Sequence, residues 1–157
     1  MKITNAKGLT LIEILIVLAI IAILGVMASL SWKRFVSNAD LRSFTRAITT
    51  DIAKTKQQAV SKGLCHRIKF STSNNNYVIE KGNSDCSVYT TVETKSPSKL
   101  GLSSGVNINS TTYGGGNINF QPRGVSSNGS VTIKNDRGFQ ATITSNVTGK
   151  TYVEYSM

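Results

Sequence analysis

Hydrophobic positions fill a continuous run near the start of the chain, and polar positions dominate the remainder. From Leu9 to Trp32 the only ionisable residue is Glu13. A helix of that length reaches about 36 Å, which is enough to cross a bilayer. The pattern predicts a transmembrane helix at residues 9–32, although a carboxylate inside it costs roughly 2.5–3.5 kcal/mol on insertion scales.

Apolar residues continue beyond this run at spacings of three and four, the pattern of an amphipathic helix. They are Trp32, Phe35, Val36, Ala39, Leu41, Phe44, Ile48 and Ile52. No proline interrupts the stretch, and Gly63 is a typical C-terminal stop. We predict one helix from Leu9 to about Lys62, whose second half, at residues 33–62, packs its apolar stripe on a sheet.

After Gly63 the pattern changes to short alternating segments between turns rich in Asn and Ser, which is typical of strands. The predicted strands are 65–71, 76–81, 87–93, 116–121, 130–135, 139–144 and 151–156. The less clearly patterned residues 95–116 are predicted to be a loop. The fold class is therefore α+β, with a long N-terminal helix packed on an antiparallel β-sheet domain at residues 63–157.

Two turns are predicted within this β-rich domain. Asn128-Gly129 is typical of a tight hairpin turn, and residues 136–138 (Asp-Arg-Gly) form a second turn signal.

Charge and cysteine content indicate which partners and which cellular compartment suit the domain. Beyond the apolar run the chain carries 16 basic residues against 7 acidic ones, which attracts anionic lipid, nucleic acid or acidic proteins. A basic surface without any such partner is an equally open interpretation. The only two cysteines, Cys65 and Cys86, predict a disulfide that closes a loop of about 20 residues in an oxidising compartment.

Three interpretations of the N-terminus are open. A secretory signal peptide is compatible with Lys2, Lys7 and small residues at 26–28, but the apolar run is long and contains a charge. A simple membrane anchor leaves Glu13 without a role. The third interpretation is a processed leader, because "KGLTLIE" (7–13) followed by aliphatic residues resembles the start of type IV pilins and type II secretion pseudopilins.

This resemblance implies a processing site. Residues 1–8 are then a prepilin leader, a prepilin peptidase cuts between Gly8 and Leu9, and the new amine of Leu9 is methylated. The family usually has Phe at the first mature position, so Leu9 is a chemically mild departure. When subunits stack, the amine of one subunit is expected to lie against Glu13 of its neighbour, because buried charges are tolerated only when paired.

The same resemblance implies a location and partners. It places a single-pass protein in the bacterial inner membrane with its C-terminal domain in the periplasm, and the cysteines agree. Basic residues flank both ends of the apolar run, so the positive-inside rule does not decide the orientation. The expected partners are other pilin or pseudopilin subunits, the prepilin peptidase and inner-membrane lipid, with no cofactor.

A narrower resemblance extends over most of the chain. Residues 48–71, 118–133 and 144–156 are similar to the helix end, first strand and later strands of the GspH/FimT family of minor pseudopilins. This implies a minor pilin or pseudopilin of a type II secretion system or a type IV pilus. Such a subunit primes or caps filament assembly at or near the filament tip.

The alternative function is a FimT-like, extracellular DNA-binding minor pilin for natural transformation. DNA-uptake members carry a C-terminal Gly-Arg-x-Arg motif, and the matching residues here, 149–152, keep one cation as Lys150. Tyr152 replaces the second Arg. Arg123, with Arg137 and Lys134 extending the same patch, completes the predicted DNA-binding set, since phosphate contact needs only clustered cations.

Nothing in the sequence predicts an enzyme or a metal site. His66 is the only histidine, and it neighbours Cys65 on a predicted strand, where adjacent side chains point to opposite faces and cannot form a nucleophile–base pair. Two cysteines and one histidine also make a poor metal site. The triplet at residues 114–116 lacks the Lys-Ser/Thr of a phosphate-binding loop.

Overall fold

The structure, a computed structural model, describes residues 10–102 and 105–156, with the side chains of residues 26–31 left out of the description. A single helix, α1, runs from Leu11 to Lys62. The residue that follows it, Gly63, has a φ of +64°, in the left-handed region that glycine adopts at low cost at helix ends. The predicted helix and its stop are therefore confirmed over the described residues.

The chain divides into two compact units, one ending at Val36 and the other beginning at Ser37. Among the residues with described side chains, no helix is both long enough and apolar enough to cross a membrane. The transmembrane span at residues 9–32 thus stays a prediction.

In its described residues the second unit contains two four-stranded antiparallel sheets, which confirms the predicted antiparallel β-sheet domain. Sheet A has the strand order β3-β2-β1-β5, and its strands are β1 (His66–Ser71), β2 (Asn76–Gly82), β3 (Tyr89–Lys95) and β5 (Asn117–Phe120). Sheet B has the order β4-β6-β7-β8, and its strands are β4 (Val106–Thr111), β6 (Gly129–Asn135), β7 (Gln140–Ser145) and β8 (Thr151–Ser156). Each of the seven predicted strands is present with small shifts at its ends.

The core lies between α1 and the inner faces of both sheets. Four residues of the predicted helical stripe are completely buried: Leu41, Phe44, Ile48 and Ile52. The sheets contribute alternate residues, chiefly Ile68, Phe70, Tyr77, Ile118, Phe120, Val131, Ile133 and Ile143. Burying each large apolar side chain contributes about 1.5–3 kcal/mol, so the stripe is a major source of the domain's stability.

The first residues assigned to that stripe do not belong to it. Trp32 and Phe35 are 69% and 68% exposed, and both lie in the first unit. Val36 is also exposed and Ala39 is half-buried, so the fully buried part of the stripe begins at Leu41.

The segment 95–116, predicted to be a loop, contains strand β4 and two short 3₁₀ turns, Ser98–Leu100 and Gly114–Gly116. The prediction was wrong because only Val106 and Ile108 face the core, and small polar residues follow them in the strand. Sheet pairing with β6, not local hydrophobicity, makes this segment a strand. Residue Asn75 then joins β4 to the other sheet: it accepts a hydrogen bond from the N–H of Ile108 and donates one to the carbonyl of Val106, both 2.8 Å long.

Tyr113, at the end of the same segment, is a second link between the sheets. Its ring is stacked on that of Phe70 with centroids 6.1 Å apart. Its hydroxyl forms a 2.9 Å hydrogen bond with the hydroxyl of Ser145 on β7. A phenol is protonated at physiological pH, and burial raises the pKa of the Tyr113 phenol still further.

The predicted hairpin turn at Asn128-Gly129 was also wrong. Gly129 is the first residue of β6, and β6 pairs with β4 and β7, whereas β5 belongs to the other sheet. A Cβ atom at Gly129 would lie only 2.5 Å from Cδ1 of Tyr113. Glycine is therefore needed here for close approach of a ring, not for a tight turn. The second predicted turn is confirmed, because β6 and β7 form a hairpin around residues 136–138.

A buried carboxylate fastens α1 to sheet A. Asp51, 5% exposed, accepts a 2.7 Å hydrogen bond from the hydroxyl of Tyr77 and bonds of 2.9 and 3.0 Å from the ammonium of Lys95. Burial, reinforced by Asp51, raises the pKa of the Tyr77 phenol. Burial lowers the pKa of Lys95, but Asp51 and Glu93 together raise it above the ordinary value. Since both folded-state pKa values are raised, this stabilisation is present below about pH 10 and is lost as the pH rises further.

The close approach at Gly129 generates a stability prediction. Gly129→Ala is expected to lower the free energy of unfolding by about 1–3 kcal/mol, because the added methyl group displaces the Tyr113 ring. Gly114→Ala is the matched control, since a Cβ there meets nothing within 4 Å. Chemical denaturation of both full-length variants in detergent measures the difference. Equal stability of the two variants would contradict the requirement for glycine beside the Tyr113 ring.

Candidate functional site

The start of α1 is a capping box formed by Thr10 and Glu13. The N–H of Glu13 donates to Oγ1 of Thr10 at 3.4 Å, and the N–H of Thr10 donates to Oε2 of Glu13 at 3.3 Å. This reciprocal arrangement satisfies two backbone donors at a helix N-terminus. The carboxylate also lies where the helix dipole favours negative charge. A Thr three residues before a Glu at the start of an apolar run is the sequence signal of such a cap, and the capping role of Glu13 was not predicted from it.

The next turns of α1 expose aliphatic side chains on every side. Each large apolar residue from Leu11 to Leu24 has between 49% and 80% of its surface exposed. A helix that is apolar all round is normally surrounded by lipid or by other apolar helices. The described part of the first unit thus presents a surface that needs a partner. Gly8 and Leu9, the predicted processing residues, lie outside the described residues.

The predicted disulfide between Cys65 and Cys86 is confirmed. It joins the residue just before β1 to the loop between β2 and β3, with Cα atoms 5.3 Å apart. Backbone hydrogen bonds support the same junction: Cys65 donates to the carbonyl of Asn83 at 3.2 Å and accepts from the N–H of Gly82 at 2.6 Å. The bridge therefore ties the exposed 83–88 loop to the connection between α1 and β1.

Lys150 and Arg123 lie in two turns that are bonded to each other. The β7–β8 turn contains Lys150, whose N–H donates to Oδ1 of Asn146 at 2.9 Å. The turn after β5 contains Arg123, and Ser126 at its end donates its N–H to the carbonyl of Val147 at 2.9 Å and its hydroxyl to the carbonyl of Asn146 at 2.8 Å.

Both turns approach the last part of α1. Lys56 donates to the carbonyl of Thr148 at 2.6 Å. A Cβ at Gly124 would lie 3.7 Å from Cγ2 of Val60. Lys56, Lys150 and Arg123 therefore belong to one end of the domain, which we call the turn end. The ring of Tyr152 is about half exposed and has the ammonium of Lys150 5.1 Å from its centroid, so it provides a cation–π contact rather than core packing.

Arg137 and Lys134 lie at the opposite end of sheet B. Arg137 is in the β6–β7 turn, held by Oδ1 of Asn135, which accepts from its N–H at 3.0 Å. Lys134 pairs in register with Gln140, whereas the turn end begins after Ser145. A six-residue strand separates the two turns, about 17–20 Å. The structure thus contradicts the prediction that all four cations form one patch.

Residues considered for chemistry occupy structural positions. His66 is buried, and its Nδ1 lies 3.1 Å from the carbonyl oxygen of Leu64. Within residues 10–102 and 105–156, no group of three or more His, Cys, Asp or Glu side chains is arranged to hold a metal ion.

Comparison with known proteins agrees with this arrangement of helix and sheets. The model of a family described as Type II transport protein GspH matches residues 45–149, and the model of the prokaryotic N-terminal methylation motif matches residues 3–29. An apolar helix that begins with a methylation motif and carries a GspH-type domain defines a pseudopilin. The chain belongs to the GspH family of type II transport proteins. Among curated proteins, no match to the chain is found.

Solved structures support the fold. Two structures of the minor pseudopilin EpsH from the type II secretion system of Vibrio cholerae are similar to the chain, both at 9% sequence identity. One has a TM-score of 0.60 and covers 73% of this chain and 96% of its own, and the other has 0.56, 73% and 93%. At this identity the similarity establishes the fold alone, which is the predicted pilin-like α+β fold.

Proposed function

We propose that the chain is a minor pseudopilin or minor pilin that primes or caps a filament of a type II secretion system or type IV pilus. Residues 1–8 are a leader, residues 9–32 hold the precursor in the bacterial inner membrane, and residues 33–62 continue the helix. The β-rich domain at residues 63–157 lies in the periplasm and reaches the filament tip on assembly.

The observation that carries this proposal is the all-round exposure of the aliphatic side chains between Leu11 and Leu24. The second unit has a core of its own, so its stability does not depend on covering that surface. Lipid covers it before assembly, and helices of neighbouring subunits cover it afterwards. A filament subunit needs a surface that is stable in both surroundings, and aliphatic side chains suit both.

Glu13 has two compatible roles in this proposal. The capping contacts with Thr10 use Oε2 of its carboxylate, and a carboxylate has two oxygens that accept hydrogen bonds. The methylated amine of Leu9 from a neighbouring subunit therefore pairs with Glu13 without dismantling the cap. This ion pair favours stacked subunits over isolated ones, because two charges in an apolar environment then neutralise each other.

Processing is tested at the glycines of the N-terminal segment. Mass spectrometry of the purified protein is expected to show a chain that begins with methylated Leu9. Gly8→Ala should leave the precursor uncut, whereas the control Gly25→Ala, which lies within α1, should be processed normally. A mature chain beginning at Ser29 would instead identify an ordinary signal peptide and overturn the proposal.

The charge of Glu13 is tested separately from its cap. Gln at this position of a capping box retains the hydrogen bond to the N-cap residue but, being neutral, cannot form an ion pair with an amine. Glu13→Gln should therefore accumulate in the inner membrane at the wild-type level, yet fall at least tenfold in co-purification with the other pilins of a strain that lacks the native copy. Wild-type co-purification of Glu13→Gln would show that the cap, not the ion pair, is the role of this residue.

DNA binding is the second candidate function, and the turn end favours it over the opposite end. Lys150 and Arg123 lie there in turns bonded to each other, and Lys56 contributes a third cation near them. At the other end Arg137 follows Asp136 directly. Sequence-independent contact with phosphates needs only such a cationic cluster and weakens steeply with salt.

Paired substitutions test which end, if either, contacts DNA. Arg123→Ala combined with Lys150→Ala should weaken binding of duplex DNA by the full-length protein and reduce the dependence of its log Kd on log salt by about 2. Arg137→Ala combined with Lys134→Ala removes the same charge at the opposite end and should have a smaller effect. Equal losses from the two pairs would indicate a diffuse attraction, and no binding at low salt would leave only the filament role.

A further inference from the structure

An exposed aromatic pair stands at the end of the first unit. Trp32 and Phe35 contact each other with ring centroids 6.3 Å apart, and the two side chains are 69% and 68% exposed. Lys33 and Arg34, between them, are exposed as well. Large aromatic rings are usually buried in water-soluble proteins, and the core of the second unit does not include this pair. We call residues 32–35 the aromatic–basic segment.

The distance along α1 suggests what surrounds this segment. From Leu11 to Trp32 the helix rises about 32 Å, close to the thickness of about 30 Å of a bilayer's hydrocarbon layer. If the aliphatic surface that begins at Leu11 occupies the acyl chains, then Trp32 falls at their far boundary. Phe35 lies three residues further on the same side of the helix.

The chemistry of the segment fits that boundary. A Trp ring is apolar but carries an N–H donor, and it is therefore enriched where acyl chains meet headgroups. Lys33 and Arg34 have long apolar stems that allow their charges to reach phosphate groups while the stems stay in a less polar layer. Basic residues next to a membrane surface are each attracted to anionic lipid by about 1 kcal/mol.

We propose that the aromatic–basic segment is an interfacial lipid anchor, which binds the phosphate headgroups of the periplasmic leaflet and fixes the depth of α1 in the bilayer before assembly. This inference rests on the proposed membrane anchoring of the chain. It adds a binding site with a defined ligand chemistry, the glycerol and phosphate region of phospholipids. It also sets the point beyond which the second unit, from Ser37, lies outside the lipid.

The only tryptophan of the chain makes this depth measurable. Full-length protein is reconstituted in vesicles of phosphatidylcholine and phosphatidylglycerol whose acyl chains are brominated either near the glycerol or near the methyl end. Trp32 fluorescence should be quenched at least twofold more by bromine near the glycerol. Stronger quenching by bromine near the methyl end, or quenching by aqueous acrylamide with neither lipid effective, would overturn the proposal.

A matched variant separates this inference from the anchoring on which it rests. Trp32→Phe combined with Ala22→Trp moves the fluorophore among the exposed aliphatic residues of the same helix, and bromine near the methyl end should quench it more. If this variant shows deep quenching while Trp32 does not show shallow quenching, the helix is inserted and only the interfacial anchor is wrong. If neither lipid quenches the variant, membrane anchoring itself is wrong, and the anchor with it.

Charge removal tests the basic part of the segment. Lys33→Gln combined with Arg34→Gln should shift the quenching of Trp32 towards the lipid brominated near the methyl end, because the helix is no longer held by phosphates. Arg46→Gln combined with Lys54→Gln removes two exposed charges of the second unit and should leave the quenching ratio unchanged. Equal ratios in both double variants would show that the cations do not set the depth.

Discussion

Packing of one helical stripe against two sheets is the interaction on which the rest of the second unit depends. Leu41, Phe44, Ile48 and Ile52 have no exposed surface, and they cover inner faces that would otherwise meet water. Among the described strands, none of sheet A pairs with one of sheet B along a ladder. Asn75 and Tyr113 add polar and aromatic links, while residues of α1 and of both sheets share one apolar core.

In the first half of the same helix, by contrast, the apolar side chains are exposed. The large apolar residues from Leu11 to Leu24 are exposed on every side of the helix, and Glu13 caps the helix N-terminus. A single helix therefore combines a surface that is stable only in an apolar environment with one that is stable only inside its own domain. The change occurs between Phe35, which is exposed, and Leu41, which is buried, and large aromatic or aliphatic residues occur on both sides of it.

That similarity explains which features could be predicted from the sequence and which could not. The helix end at Lys62 and seven of the eight described strands were predicted correctly, because they depend on the local pattern of apolar and turn-forming residues. The bridge between Cys65 and Cys86 was predicted from the number of cysteines. The periodicity did not separate Trp32 and Phe35 from the buried stripe, since exposure depends on where the sheets lie. Strand β4 and the role of Gly129 were missed for the same reason: one needs its partner β6, and the other needs the ring of Tyr113.

The geometry of the helix within its domain has a mechanical consequence. A force along the axis of α1 loads the stripe from Leu41 to Ile52 in shear, so several side chains resist it together instead of separating one after another. Asp51, bonded to Tyr77 and Lys95, resists the same displacement from the side of sheet A. Beyond Lys62 only a short connection leads to the disulfide at Cys65. A force transmitted through the whole helix is therefore carried next by a covalent bond.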